Sequence, residues 1–395
     1  MSWDGKRAWS RWLRRYRDER DLTQEELGEV LGVDGKMVSA WENGQRPARK
    51  HTRNICAKLH TTRLELGLLE DEAGPIVARR DFLRRSAGWG ALAVFGPWAG
   101  LDPVDAPGIE GFDATTEMLG LLWMRAGPAA ALGPTLGHVE AVTRLLQGSL
   151  PSALRPRLCR VLAETAAVAG VCKSWMGDRA GADHFSTLAF EAAREAEDPD
   201  LAVHVLLTHT SGDRSLHDRP MDRLRRYVEG DLGFAVADAA PVTKAWARAK
   251  AADVHASLGQ AEASLAALGE AADLIVGVTS RRYPWPDERW LMGERGASLA
   301  RLGRTREARD ALSMVISEAG PERAVDRLWL EIATARTFVH DGALQQAAQI
   351  SAGVLGAARR LRHGHLEDEV RRLHAAMPPS TTPGVLELRE ALSTP

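Results

Sequence analysis

Between residues 36 and 50 the chain collects side chains suited to a negatively charged polymer. Lys36 can donate to guanine O6 and N7, Ser39 can donate or accept, and Ala40 offers a methyl group to thymine. Gln45, Arg46, Arg49 and Lys50 follow as a basic loop able to lie against a sugar–phosphate chain, a contact that sets register but carries no sequence information. Lys36 has a second reading, as a phosphate contact only. Gly35 at the head of the group can read nothing. A second collection is Arg281, Arg282, Tyr283, Trp285, Asp287, Arg289 and Trp290, which concentrates rings in a chain that is only 6% aromatic. Planar guanidiniums beside aromatic faces suit an anionic or flat small molecule, or a partner protein, better than an extended peptide. The alternative is a loop whose tryptophans cap the following helices. Two histidine groups, His363, His365 and His374 with Glu367 and Asp368, and His204, His209 and His217, lack a full ligand set at metal spacing. No metal and no cofactor is expected. The chain holds no GxSxG elbow, Walker A loop or HExxH, and nothing in it argues for catalysis.

The first collection needs elements to hold it, and Leu22 to Pro47 supplies them. Thr23 to Glu26 is a capping box that opens a helix, Leu27, Val30 and Leu31 form its apolar stripe, and Gly32 ends it with positive φ. Asp34 caps a second helix carrying Met37, Val38 and Trp41, stopped by Gly44 and Pro47. Gly28 sits inside the first helix, where alanine would gain about 1 kcal/mol. A residue without a side chain belongs there if backbone crosses very close. Two short helices and a glycine turn describe a helix-turn-helix, whose second helix can enter the major groove.

Leu22-Thr23-Gln24-Glu25-Glu26-Leu27, Leu31-Gly32-Val33 and Trp41-Glu42-Asn43-Gly44 resemble the lambda-repressor/Cro-like (XRE) family nearly letter for letter. The resemblance implies an XRE-type DNA-binding head at residues 6–65 and double-stranded DNA as partner. It casts Gln24 and Asn43 as phosphate contacts. It also pairs Arg17 of a preceding helix with Glu42 as a structural ion pair, beside Gly28 and Trp41. Direct base readout is thin, so sequence preference leans on few bases or on DNA shape. One such helix buries little surface, and two half-sites imply a homodimer.

Charge is unevenly placed. Residues 1–60 carry 13 basic and 9 acidic side chains (+4), so with −2 overall the remainder carries −6. That balance permits a head that meets phosphates and a body that does not. Seven of 51 basic residues are lysine, and asparagine occurs only at Asn43 and Asn54, so the arginine wealth reflects codons rather than function. Cys56, Cys159 and Cys172 form no CxxC pair and read as buried small hydrophobes in a reducing cytosol. No apolar run is long enough for a membrane span, and a cytoplasmic location is expected.

Beyond the head, residues 66–111 read as a connector. Its Arg79-Arg80-Asp81-Phe82-Leu83-Arg84 resembles a twin-arginine export signal, but it follows a folded domain and reads better as a short amphipathic helix. Residues 112–380 are Ala/Leu/Arg-rich helical text with turns near positions 177, 218, 259, 303 and 342, a step near forty residues that stacks helix pairs. Ala297 to Leu312 looks like a tetratricopeptide (TPR) turn; the other units are degenerate. Residues 381–395 read as a C-terminal cap or tail. The expected fold is therefore all-α: a helix-turn-helix domain followed by a TPR-like α-solenoid. The resemblance implies a transcriptional regulator of actinobacterial type whose solenoid senses an effector. The competing reading is a TPR-like interaction scaffold with a low-specificity DNA tether.

Overall fold

The computed structural model describes residues 20–45, 106–148, 150–212, 219–225, 239–276, 287–320 and 323–394, with Val236 and isolated positions between 10 and 59. Among the described residues every regular element is a helix, and the fold is all-α. The chain divides into two compact units, Met1–Pro75 and Ile76–Pro395.

The first unit is built on α1 (Gln24–Leu31) and α2 (Gly35–Glu42). The capping box forms as the sequence requires: Glu26 N–H donates to Thr23 Oγ1 at 3.2 Å, and Thr23 N–H donates to Glu26 Oε2 at 2.7 Å. Gly32 ends α1 at φ 68°, and Asp34 caps α2 through Lys36 N–H at 2.7 Å. Gly28 has the close approach its residue type suggests. A β-carbon there would stand 2.6 Å from Val33 O, so the turn itself is what crosses. Leu13, Leu27, Leu31, Val38, Trp41, Ile55 and Leu59 make the core. One apolar position departs from the expected stripe: Val30 is 42% exposed, because Gly28 rather than Val30 takes the buried place beside Leu27. Trp9, Trp12 and Cys56 lie outside the described residues, as does the Arg79–Arg84 segment.

The second unit opens with α3 (Ala106–Ala126), which begins inside the stretch read as connector, and continues with α4 (Pro128–Gln147), α5 (Arg155–Trp175), α6 (Arg179–Glu195) and α7 (Pro199–Gly212). After the short α8 (Pro220–Leu224) come α9 (Pro241–Ser257), α10 (Ala261–Ile275), α11 (Glu288–Arg301) and α12 (Thr305–Glu318). The chain ends with α13 (Ala324–His340), α14 (Leu344–Leu361), α15 (Gly364–Ala375) and α16 (Pro383–Ser393). Neighbouring helices pair as hairpins, α5 on α6, α9 on α10, α11 on α12 and α13 on α14. The turn between partners recurs. Gly177, Gly259, Gly303 and Gly342 all take positive φ. At each, the next residue's N–H reaches back to close a Schellman-type bond: Asp178 to Lys173 O at 2.9 Å, Gln260 to His255 O at 2.9 Å, Arg304 to Leu299 O at 3.0 Å and Ala343 to Phe338 O at 2.9 Å. The turn expected near position 218 lies outside the described residues.

The row of hairpins does not stay open. α13 packs on α3, α14 on α4 and α15 on α5, so late helices return to early ones. Trp123, Met124 and Ala131 share one apolar cluster with Val168, Val171, Cys172 and Val325. Helix α5 is buried along most of its surface: between Leu158 and Ser174 every residue but Arg160 and Glu164 is buried, and most are apolar or small. α16 buries Val385 and Leu388 against α14. Cys159 and Cys172 are buried thiols, and burial pushes the Cys159 thiol up to about 12. No described helix is long and apolar enough to cross a membrane.

One buried polar node ties α3, α4 and α5 together. Thr116 Oγ1 lies 3.1 Å from His138 Nε2 and 3.0 Å from Thr165 Oγ1. Burial drives the His138 imidazole down to about 4 from an ordinary 6.5. A depressed histidine favours the neutral folded form, so its contribution is full above pH 6.5 and is lost as pH falls toward 4. That loss amounts to about 3 kcal/mol. Chemical denaturation between pH 7 and pH 4 should show it, and His138→Gln should flatten the slope. An unchanged slope in the variant would contradict a neutral buried His138.

Candidate functional site

The exposed end of the first unit is assembled from the start of α2 and the turn after it. Lys36 is exposed, and Ser39 and Ala40 are half-buried. Asn43 and Gln45 are exposed just past the helix end, where Asn43 N–H closes on Ser39 O and Gln45 N–H on Ala40 O. Five of the residues expected at a DNA face therefore share one helix and its exit. Arg46, Arg49 and Lys50 lie outside the described residues. Gly35 has a packing reason: a β-carbon there would meet Glu25 at 3.1 Å. A larger residue would need α1 and α2 to give by a few tenths of an ångström at this contact.

What fixes the helix is Glu42. Its side chain is only 2% exposed. Arg17 Nε donates to Oε1 at 2.7 Å and Gln24 Nε2 donates to Oε2 at 2.7 Å. Arg17 also donates to Leu22 O at 3.1 Å, and Arg14 to the Glu42 carbonyl at 3.1 Å. The bond to Glu42 holds the Arg17 guanidinium above its usual range. The expected Arg17–Glu42 pair is present, and Gln24 has joined it. An amide carries two donors, and one of the Gln24 N–H groups is committed to Glu42. Sequence reasoning also missed Asn54, whose amide donates to the Leu31 carbonyl at the end of α1. No spacing rule points from a lone asparagine to a helix end far upstream in the chain.

The second candidate collection divides. Arg281, Arg282, Tyr283 and Trp285 lie outside the described residues. Asp287 is a helix cap: it accepts from Trp290 N–H at 2.6 Å and pairs with Arg323 at 3.0 Å. Arg289 pairs with Glu318 at 3.0 Å. Arg289 and Trp290 nevertheless line a cavity of about 270 Å³ inside the second unit. Most of its wall comes from residues far away in sequence, so a local cluster of rings could not have revealed it. The histidines have other work. His363 stacks on Trp175 at 4.3 Å, His204 packs on Trp246 at 4.8 Å and His209 lies 2.9 Å from Ser186 Oγ. Among the described residues no group of three metal-ligating side chains converges.

A capped pair of helices crossing at a glycine turn, with polar residues exposed along the second, defines a helix-turn-helix unit. Residues 13–66 match the family model described as helix-turn-helix, which supports an XRE-type head of the DNA-binding regulator class. The match covers no part of the helical body. No curated protein and no solved structure matches the chain.

Breaking the buried pair from the arginine side strands Glu42. Arg17→Ala should destabilise the first unit by about 3 kcal/mol, read as faster hydrogen exchange at the α1 and α2 amides. Exchange no faster than in an Arg20→Ala control would remove the pair from the account.

Proposed function

We propose that the chain is a sequence-specific, DNA-binding transcription regulator that acts in the cytoplasm as a homodimer. In this reading α2 enters the major groove with Lys36 on a guanine edge, Ser39 on an adjacent base or phosphate and Ala40 against a thymine methyl. Gln24, Asn43, Gln45, Arg46, Arg49 and Lys50 grip the backbone on either side. The observation that carries the reading is α2 itself, exposed along its Lys36 side and locked at its far end by the Glu42 network. A helix fixed in this way presents donors in one geometry, which readout of base edges requires.

The body is then a TPR-like sensor, a reading supported by the recurring glycine turn between paired helices. An effector that favours one body conformation shifts the population of DNA-competent dimers, by no more than its differential affinity for the two states. A recess walled by tryptophans favours a sensor over an interaction scaffold, because a concave and largely apolar pocket suits a compact ligand.

Competition binding against a panel of single-base duplex variants separates the roles. Asn43→Ala should weaken every duplex about equally, whereas Lys36→Ala should flatten preference at one position of each half-site. Gln24→Ala should do both less cleanly, since it also removes a partner of Glu42. Uniform weakening by Lys36→Ala would reassign that residue to a phosphate.

A further inference from the structure

The cavity of the second unit is built by alternate helices. α3, α5, α7, α9, α11, α13 and α15 each contribute inward side chains, with single residues from α8 and α12. A recess of about 270 Å³ walled by seven helices has the size and concavity of a small-molecule site. Five tryptophans from five helices, Trp123, Trp175, Trp246, Trp290 and Trp329, form its apolar walls. Trp123 and Trp175 meet at 4.9 Å, and Trp175 and Trp329 at 6.1 Å. Rings arranged this way offer flat, polarisable surface rather than the backbone-clamping amides an extended peptide needs.

Charge decides the rest. The lining holds six Lys or Arg side chains and four carboxylates, and two of the arginines, Arg289 and Arg323, are paired with Glu318 and Asp287 beyond it. Two pairs are well matched: Arg301 Nε to Asp253 Oδ1 at 2.8 Å and Lys250 Nζ to Glu294 Oε1 at 2.6 Å. Arg336 is not. Among the described residues the carboxylate it reaches is Glu369, at 3.5 Å, and Glu369 is already engaged by Arg372. Burial, reinforced by the nearby Arg301 charge, pushes the Arg336 guanidinium down to about 10. A largely buried cation so placed is stabilised by an anion brought to it, since charge-assisted hydrogen bonds are stronger away from bulk water. Two further polar atoms await partners. Trp175 Nε1 and Thr208 Oγ1 are buried, line the same cavity, and have no hydrogen-bond partner among the described residues.

We propose that this cavity is the binding site for a small aromatic anion, its ring system held among the tryptophans, its acidic group on Arg336, and a polar atom within reach of Trp175 Nε1 or Thr208 Oγ1. The role of such a ligand as effector rests on the regulator reading above; its binding does not. Trp329 and Arg336 share α13, and the return of the last helices onto the first brings them to Trp175 of α5, far away in the chain.

Two naphthylamine dyes test the site on the full chain, because they share a ring system and differ in charge. 8-Anilinonaphthalene-1-sulfonate carries a sulfonate; N-phenyl-1-naphthylamine does not. The anionic dye should bind at one site per chain and about ten-fold or more tighter than the neutral one, and Arg336→Gln should erase that preference while leaving the neutral dye unaffected. Equal affinity for both dyes, loss of both in a variant with wild-type circular dichroism, or no saturable binding would overturn the proposal. Should Arg336→Gln fail to fold, displacement of the anionic dye from the wild-type chain decides it: 2-naphthoate should displace and 2-naphthamide should not, and the reverse order would overturn it. Saturating the site without altering affinity for duplex DNA would leave the site standing and remove the effector role.

Discussion

The head of this chain depends on one buried carboxylate. Glu42 closes α2, and its two oxygens are taken by Arg17 from the preceding helical segment and Gln24 from the first turn of α1. A charge out of water is costly unless it is both paired and hydrogen-bonded, and here each oxygen has its own donor. The stabilisation such a network provides is modest beside an apolar alternative. What it supplies is a single orientation: the three segments that meet at Glu42 cannot slide without stranding it. The exposed face of α2 inherits that definition, and so does every contact it makes.

The body follows a different constraint. Its hairpins are set by glycines that tolerate positive φ where a helix must reverse, and the same back-bonded turn appears at four places. Turns alone would give an open row. Closure comes from side chains at the seam, where α3, α4 and α5 meet α13, α14 and α15. Gly127 marks how tight that seam is, since a β-carbon there would stand 2.9 Å from Leu361. Bulky tryptophans face the middle while alanines and glycine fill α5, so the walls are firm and the centre is not filled.

The head was legible in the sequence nearly residue by residue because its determinants are local. A capping box, a glycine at a helix end and an aspartate before the next helix are each read within a few positions, and each formed. The turns of the body were legible for the same reason. Long-range pairing was not. Nothing near Gln24 indicates that its amide turns to Glu42, and nothing near Trp123 or Arg336 indicates that they share a cavity. The aromatic stretch that runs into α11 did contain two of the lining residues, Arg289 and Trp290, but its aspartate is a cap and Arg289 pairs with Glu318 across the hairpin. Val30 illustrates the limit of periodicity on a short helix, where a glycine forced by a close crossing displaced it from the core.

The central claim is that α2 reads DNA in a fixed geometry imposed by its supporting helices. Selection of bound duplexes from a random pool with the full chain tests it most directly. The account expects enrichment of a short motif repeated as two inverted half-sites with centres about one helical turn, or a multiple of it, apart, with binding that weakens steeply as salt rises. A pool that binds but enriches nothing over successive rounds would contradict it, and would leave the head as a tether for phosphate alone.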